Sequence, residues 1–312
     1  MSDPNSETRC GAVAVIGAPN AGKSTLVNRL AGTKVSIVTP KVQTTRARVR
    51  AIAMAGQAQI IFVDTPGIFR PRRSLDEAMV AAAWEGAKDA DVILLVVDAA
   101  DEVENPDGLA AQDTRRILDG LAQSGLKATV ALNKIDGMKR DTLLALTQRI
   151  AASPATGDVF MISALKGYGV DDLMAHLAAR MPEGPWHYPP DQAADIPERL
   201  LAAEITREKL FLRLHQELPY SLTVETESWQ ERKDGSARIE QTIFVERDGQ
   251  KAIVIGKGGA TLKAIGAAAR AEMEELFGRR VHLFLHVKVR EGWAEEPARL
   301  RALGLEPAKR PG

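Results

Sequence analysis

Up to about Met181 the chain alternates short apolar runs with stretches whose apolar residues recur every three or four positions. The runs Ala12–Ile16, Ile60–Val63, Val92–Val97, Thr129–Leu132 and Val159–Ile162 are mostly continuous, as strands buried on both faces are. Between them, Lys23–Leu30, Asp76–Lys88, Leu109–Leu121, Asp141–Ala152 and Val170–Arg180 have helical patterns. This alternation predicts an α/β domain, a mostly parallel sheet with helices on both faces. Arg48–Met54 is expected to add an edge strand beside Ile60–Val63, joined through the turn at Ala55-Gly56.

From Pro182 to Pro190 there are four prolines in nine residues, which neither a helix nor a central strand tolerates. A semi-rigid linker is expected there. Beyond it the pattern changes. Glu198–Leu218 predicts a helix, Ser221–Gln230 and Ala237–Arg247 an antiparallel pair turning at Asp234-Gly235, Thr261–Leu276 a helix, and Val281–Val289 a strand with one buried face. The expected organisation is a polar tail at 1–10, a first domain at 11–182, a linker at 183–197, a small α+β domain at 198–292, and a tail at 293–312 with a short helix at Pro297–Leu303.

Composition narrows the classes. With 45% hydrophobic and 26% charged residues the chain is neither disordered, collagenous nor a coiled-coil rod. No stretch approaches the roughly 20 apolar residues of a membrane span, and Met1–Cys10 lacks the basic-then-apolar layout of a secretory signal. Cys10 is the single cysteine, so there is no intrachain disulfide or cysteine metal cluster, and a reducing cytoplasm is expected. Lys+Arg and Asp+Glu both number 41, so any attraction for a polyanion must come from a local patch.

The first domain holds the chemistry. Gly17-Ala18-Pro19-Asn20-Ala21-Gly22-Lys23-Ser24-Thr25 lies between a strand and a helix and matches G-x-x-x-x-G-K-[ST]. Its glycines let backbone N–H groups converge on phosphates, Lys23 adds charge near the β- and γ-phosphates, and Ser24 offers a hydroxyl to Mg²⁺. Asn133-Lys134-Ile135-Asp136 follows another strand, where α/β sheets bind ligands. The Asp136 carboxylate suits the paired N1–H and amine of guanine, a donor pair adenine lacks. Asn133 would brace the phosphate loop, and the Lys134 stem would cover one face of the base. Ser163-Ala164-Leu165 would offer a backbone N–H to the guanine carbonyl.

Asp64-Thr65-Pro66-Gly67 supplies a carboxylate for the metal's outer shell and a glycine N–H for the γ-phosphate. Thr45, or alternatively Thr44, would close the Mg²⁺ shell. Release of the γ-phosphate would then free residues 33–46 and 65–75, a two-state switch. Ile68 occupies the place where many GTPases carry a glutamine that orients the attacking water, so hydrolysis is expected to be slow or to use another device. Asn20 is the candidate, either holding a K⁺ beside the phosphates or only stabilising the turn.

In the second domain, Ile255-Gly256-Lys257-Gly258-Gly259 opens a helix carrying Lys263 and Arg270. A G-x-x-G loop lets a polynucleotide backbone approach because no Cβ intervenes. Lys251 to Arg290 contains eight Lys/Arg and three Glu, a local excess of 8 − 3 = +5. Single-stranded RNA fits this loop better than duplex DNA.

With GAPNAGKST at 17–25, QTTR at 43–46, DTPG at 64–67, NKID at 133–136, SAL at 163–165 and IGKGG at 255–259, the chain resembles the Era family of bacterial GTPases over roughly residues 9–305. The resemblance implies a P-loop G domain followed by a type II KH domain that binds the 3′ end of small-subunit ribosomal RNA. It also implies GTP and GDP with Mg²⁺ as ligands, a role in 30S subunit assembly and rRNA maturation, a monomer, and peripheral association with the inner face of the membrane. Two rival readings are an RNA-binding module whose nucleotide is structural and a membrane-acting cell-cycle GTPase.

Overall fold

The computed structural model describes residues 8–41, 49–71, 74–214, 218–293, 296 and 305. They separate into two compact units. One takes the chain up to Ser36 and from the second strand to Asp195; the other begins at Ile196 and also takes the short stretch from Ile37.

The first unit is a seven-stranded sheet. Its strands are β1 (Arg9–Ile16), β2 (Val49–Ala55), β3 (Ala58–Asp64), β4 (Val92–Asp98), β5 (Ala128–Asn133), β6 (Thr156–Met161) and β7 (Ala194–Asp195), in the order β6-β5-β4-β1-β3-β2-β7. The five from β6 to β3 run parallel; β2 pairs antiparallel with β3. The helices are α1 (Lys23–Ala31), α2 (Ser74–Asp89), α3 (Ala99–Glu104), α4 (Leu109–Gln123), α5 (Arg140–Ala151) and α6 (Val170–Ala179). One core cluster joins Ile93, Leu95 and Val97 of β4 and Val130 and Leu132 of β5 to Ile117 and Leu121 of α4 and Leu146 of α5. The apolar stripes of α4 and α5 thereby cover one face of the sheet. Because strands β1, β3, β4 and β5 are parallel, the loops after Ile16, Asp64, Asp98 and Asn133 emerge at one sheet end.

Three expectations change here. The strand over Val49–Ala55 is not at the edge, because β7 from the proline-rich stretch pairs beyond it, with Ile52 N–H donating to Ala193 O at 2.8 Å. That stretch is bonded down rather than free. The buried Gln59 side chain accepts the N–H groups of His187 and Tyr188 and donates to Tyr188 O, and Trp186 Nε1–H donates to Gln57 O. Third, α3 was not expected; at six residues it is too short to show a period, and Asp98 caps it by accepting the Asp101 N–H.

The second unit comprises α7 (Glu198–Arg213), β8 (Leu222–Glu231), β9 (Ala237–Val245), α8 (Asp248–Ile255), α9 (Ala260–Phe277) and β10 (Val281–Val289), with sheet order β10-β9-β8. β9 is antiparallel to β8 and parallel to β10. The first helix ends five residues before the expected Leu218, because Leu214 turns extended (φ −91°, ψ 151°), and Leu218–Ser221 forms a separate 3₁₀ turn around Pro219. The hairpin closes on Asp234, whose carboxylate accepts both the N–H and hydroxyl of Ser236. Leu210 and Phe211 pack with Val224, Ile243 and Val254, and Ile205 with Ile239, Ala269 and Met273. The expected helix at Pro297–Leu303 lies outside the described residues.

Candidate functional site

The first site is assembled at the carboxyl end of β1. Gly17 (φ 152°), Asn20 (φ 62°) and Gly22 (φ 94°) fold the loop between Ile16 and Lys23. Asparagine is the non-glycine residue that best tolerates such a left-handed turn. A Cβ on Gly17 would lie 2.3 Å from Val96 O, and one on Gly22 would lie 2.2 Å from Asn133 Nδ2. Both glycines are therefore required by the surrounding protein.

Lys23 is buried, and its Nζ donates to Gly17 O at 3.1 Å and Ala18 O at 2.9 Å. Burial pushes its pKa down to about 8, opposed by the charge of Asp64. A phosphate at the loop would add negative charge beside the ammonium and favour its charged form. Ser24 Oγ donates to Asp64 Oδ2 at 2.8 Å, which brings together the two groups expected beside Mg²⁺. A hydroxyl and a carboxylate form the hard oxygen set that this ion takes. Thr65 Oγ1 donates to Val15 O at 2.8 Å, and Ile68 N–H donates to Gly17 O at 3.0 Å, so the D-x-x-G turn is bonded to the phosphate loop. A Cβ on Gly67 would stand 3.0 Å from Pro19 N. The Ile68 side chain is buried in the core cluster, turned to packing. Thr44 and Thr45 lie outside the described residues, as does the whole of QTTR.

At the end of β5 the buried Asn133 does two jobs. Its Nδ2 donates to Ala21 O at 2.8 Å and its Oδ1 accepts the Ala164 N–H at 2.9 Å. One amide thus ties the phosphate loop to the loop after β6. Lys134 sits at φ 65° with its Nζ on Asp98 Oδ2 at 2.5 Å, which holds the stem in place. Sequence reasoning found no role for Asp98; only the register pairing it with Asn133 across β4 and β5 reveals it. Asp136 is exposed. Ser163 is buried, and its Oγ accepts the Lys166 N–H at 2.9 Å. Gly17, Ala18, Pro19, Asn20, Ala21, Gly22, Lys23, Ser24, Asp64, Thr65, Pro66, Gly67, Asn133 and Ala164 thus belong to one bonded set of loops, and Thr25 follows in α1. A separate groove of about 750 Å³ lined by Trp84, Lys88, Arg115 and Arg116 lies between α2 and α4 and includes none of these residues.

The second site joins α8 to α9. Gly256 (φ 73°), Gly258 (φ 60°) and Gly259 (φ 77°) take left-handed backbone, and a Cβ on Gly258 or Gly259 would meet nothing within 4 Å. Lys257, Lys263 and Arg270 are exposed, with Lys263 and Arg270 seven residues apart on one face of α9. The basic excess is redistributed by pairing. Arg279 bonds Glu198 and Glu231, Lys288 bonds Glu227, and Arg290 bonds Glu296, whereas Lys257, Lys263 and Arg270 have no ion pair among the described residues. Ile255 is half-buried, and Ile253 is 58% exposed on α8 beside the loop.

A family model described as a 50S ribosome-binding GTPase matches residues 12–134, and a KH domain model matches 217–294. The chain is 58% identical over 313 residues to GTPase Era of Caulobacter vibrioides, covering 98% of this chain and 99% of that one. It belongs to the Era family of GTPases. GTPase Era of Dinoroseobacter shibae is 59% identical over 309 residues, with 98% of each chain covered. Two solved Era structures align with a TM-score of 0.87 at 40% identity, covering 95% of this chain and 99% of theirs. One is a tyrosine-to-alanine variant from Aquifex aeolicus bound to GDP·AlF4−; the other is Era in complex with MgGDPNP and nucleotides 1506–1542 of 16S ribosomal RNA. The fold is accordingly a Ras-like G domain followed by a KH domain of type II, whose G-x-x-G is the loop at 256–259.

Proposed function

We propose that the chain hydrolyses GTP as a switch and binds the 3′ region of small-subunit ribosomal RNA through the loop at 255–259, Lys263 and Arg270, thereby assisting 30S assembly and rRNA maturation. The observation that carries this reading is the bonded set of phosphate and base loops in one chain with a G-x-x-G loop whose cations have no ion pair among the described residues. A relative of the same architecture has been solved with MgGDPNP and a 16S ribosomal RNA fragment, which supports the same pair of ligands here.

Lys23 and the N–H groups of 17–24 hold the triphosphate; Asp136 and the loop at Ser163–Leu165 read guanine. Ser24, Asp64 and Thr45 would hold Mg²⁺, which would neutralise phosphate charge. With Ile68 turned into the core, the attacking water is oriented by something else, and we assign to Asn20 the holding of a K⁺ that takes an arginine finger's place. The chain works as a monomer in the cytoplasm, where its RNA is. A peripheral membrane contact would have to be made from the surface, since no single described helix is long and apolar enough to cross a bilayer.

GTP turnover with and without the 3′ RNA tests the reading. Hydrolysis that responds to RNA is expected. No hydrolysis under any salt or RNA condition would favour an RNA-binding module with a structural nucleotide.

A further inference from the structure

One strong contact to the base loop comes from outside all the motifs. Arg29 lies on α1, six residues past Lys23, and its side chain reaches the loop after β6. Nε donates to Ala164 O at 2.5 Å and Nη2 to Leu165 O at 2.5 Å. Two fork donors on two successive carbonyls fix the plane of the peptide between them, which a single ammonium cannot do. Gly167 (φ 90°) completes the seat, since a Cβ there would press 3.0 Å from Arg29 Nη1.

The other bonds of this loop show what its orientation decides. Ser163 N–H goes to Tyr168 O, Ala164 N–H to Asn133 Oδ1, Lys166 N–H to Ser163 Oγ and Gly167 N–H to Ser163 O. Leu165 N–H alone in this run has no partner among the described residues, while its side chain is 69% exposed. The Leu165 N–H and the Arg29-bound Ala164 O belong to the same peptide group, so the guanidinium sets where that N–H points. We propose that Arg29 is a positioning residue for guanine recognition: it holds the Ala164–Leu165 peptide so that the Leu165 N–H meets the base carbonyl. It acts through the loop and does not touch the nucleotide. The inference rests on the guanine reading of this site. It also means that α1, which starts at the phosphates, ends by fixing the base loop.

The test compares the full chain with Arg29→Met and Arg29→Lys by calorimetry at pH 7, using GDP, 6-thio-GDP and IDP. Sulfur at the six position weakens the acceptor and keeps the N1–H and 2-amine; IDP lacks the 2-amine that Asp136 reads. In the parent chain 6-thio-GDP is expected to bind about fivefold more weakly than GDP, the size of one neutral hydrogen bond. Arg29→Met should shrink that ratio toward one and leave the IDP penalty unchanged, and Arg29→Lys should restore part of it. A role confined to packing would weaken all three ligands alike. A 6-thio-GDP penalty equal in parent and Arg29→Met, or absent from the parent, would overturn the proposal. Loss of the IDP penalty in the parent would instead overturn the guanine reading itself. Should Arg29→Met fail to fold, the same ratio is read on Arg29→Lys, whose ammonium lacks the planar fork and must lower it.

Discussion

Two glycine loops carry the two sites, and they use glycine for opposite reasons. In the phosphate loop, a Cβ at Gly17 or Gly22 would run into the protein itself, at the Val96 carbonyl and the Asn133 amide. In the loop at 256–259, Gly258 and Gly259 face open space, and only Gly256 is crowded, by Thr261. The first loop is built into the fold: Asn133, Thr65 and Ile68 each bond to β1 or to the loop beyond it. The second loop leaves a bare backbone flanked by Lys257, Lys263 and Arg270, so its shape serves whatever approaches it. A substitution in a loop of the first kind is expected to cost both stability and binding; one in a loop of the second kind is expected to cost binding with little stability.

This contrast is open to direct attack, and the largest effect is expected at Gly17→Ala. The methyl group would need the Val96 carbonyl to move, so unfolding should become easier by about 3 kcal/mol, read from denaturant midpoints. A midpoint unchanged would mean the loop is not built into the fold. Next comes Asp136→Asn, which should weaken GTP binding about 100-fold and favour xanthosine nucleotides, measured by calorimetry. Equal GTP affinity would count against Asp136 as the guanine reader. The double change Lys257→Asp, Gly258→Asp should reduce RNA affinity by more than about tenfold through repulsion of phosphates. It should cost only about 1 kcal/mol of stability for the left-handed backbone at 258, with GTP affinity unaltered. RNA binding that survived it would remove this loop from the RNA site. The smallest effect is a few-fold slowing of hydrolysis when Na⁺ replaces K⁺, and equal rates would discard the cation at Asn20.

The same contrast explains what the sequence showed. Continuous apolar runs revealed β1, β3, β4 and β5 because a buried parallel strand has no polar face to confuse the period, whereas β6, at the sheet edge and nowhere fully buried, was marked only over its second half. The G-x-x-x-x-G-K-S run, N-K-x-D and G-x-x-G were readable because backbone geometry fixes residue type at each spacing. Pairings set by tertiary register were not readable. Asp98 meets Lys134 only because β4 lies beside β5, and Arg29 looks like any exposed charge on a helix until the loop after β6 is in place. The proline-rich stretch read as a spacer because its hydrogen bonds go to a distant buried Gln59. Its prolines lack donors, so His187 and Tyr188 supply the N–H groups instead.

A GTP switch that serves RNA binding requires the phosphate held at 17–24 to set how firmly 255–259 holds RNA. Calorimetry of the full chain with a single-stranded 3′ small-subunit rRNA segment, loaded in turn with a non-hydrolysable GTP analogue and with GDP, tests it most directly. The expected result is at least about tenfold tighter RNA binding in one loaded form than in the other, a coupling of about 1.4 kcal/mol. Identical RNA affinities in the two forms would contradict it, even with both sites intact.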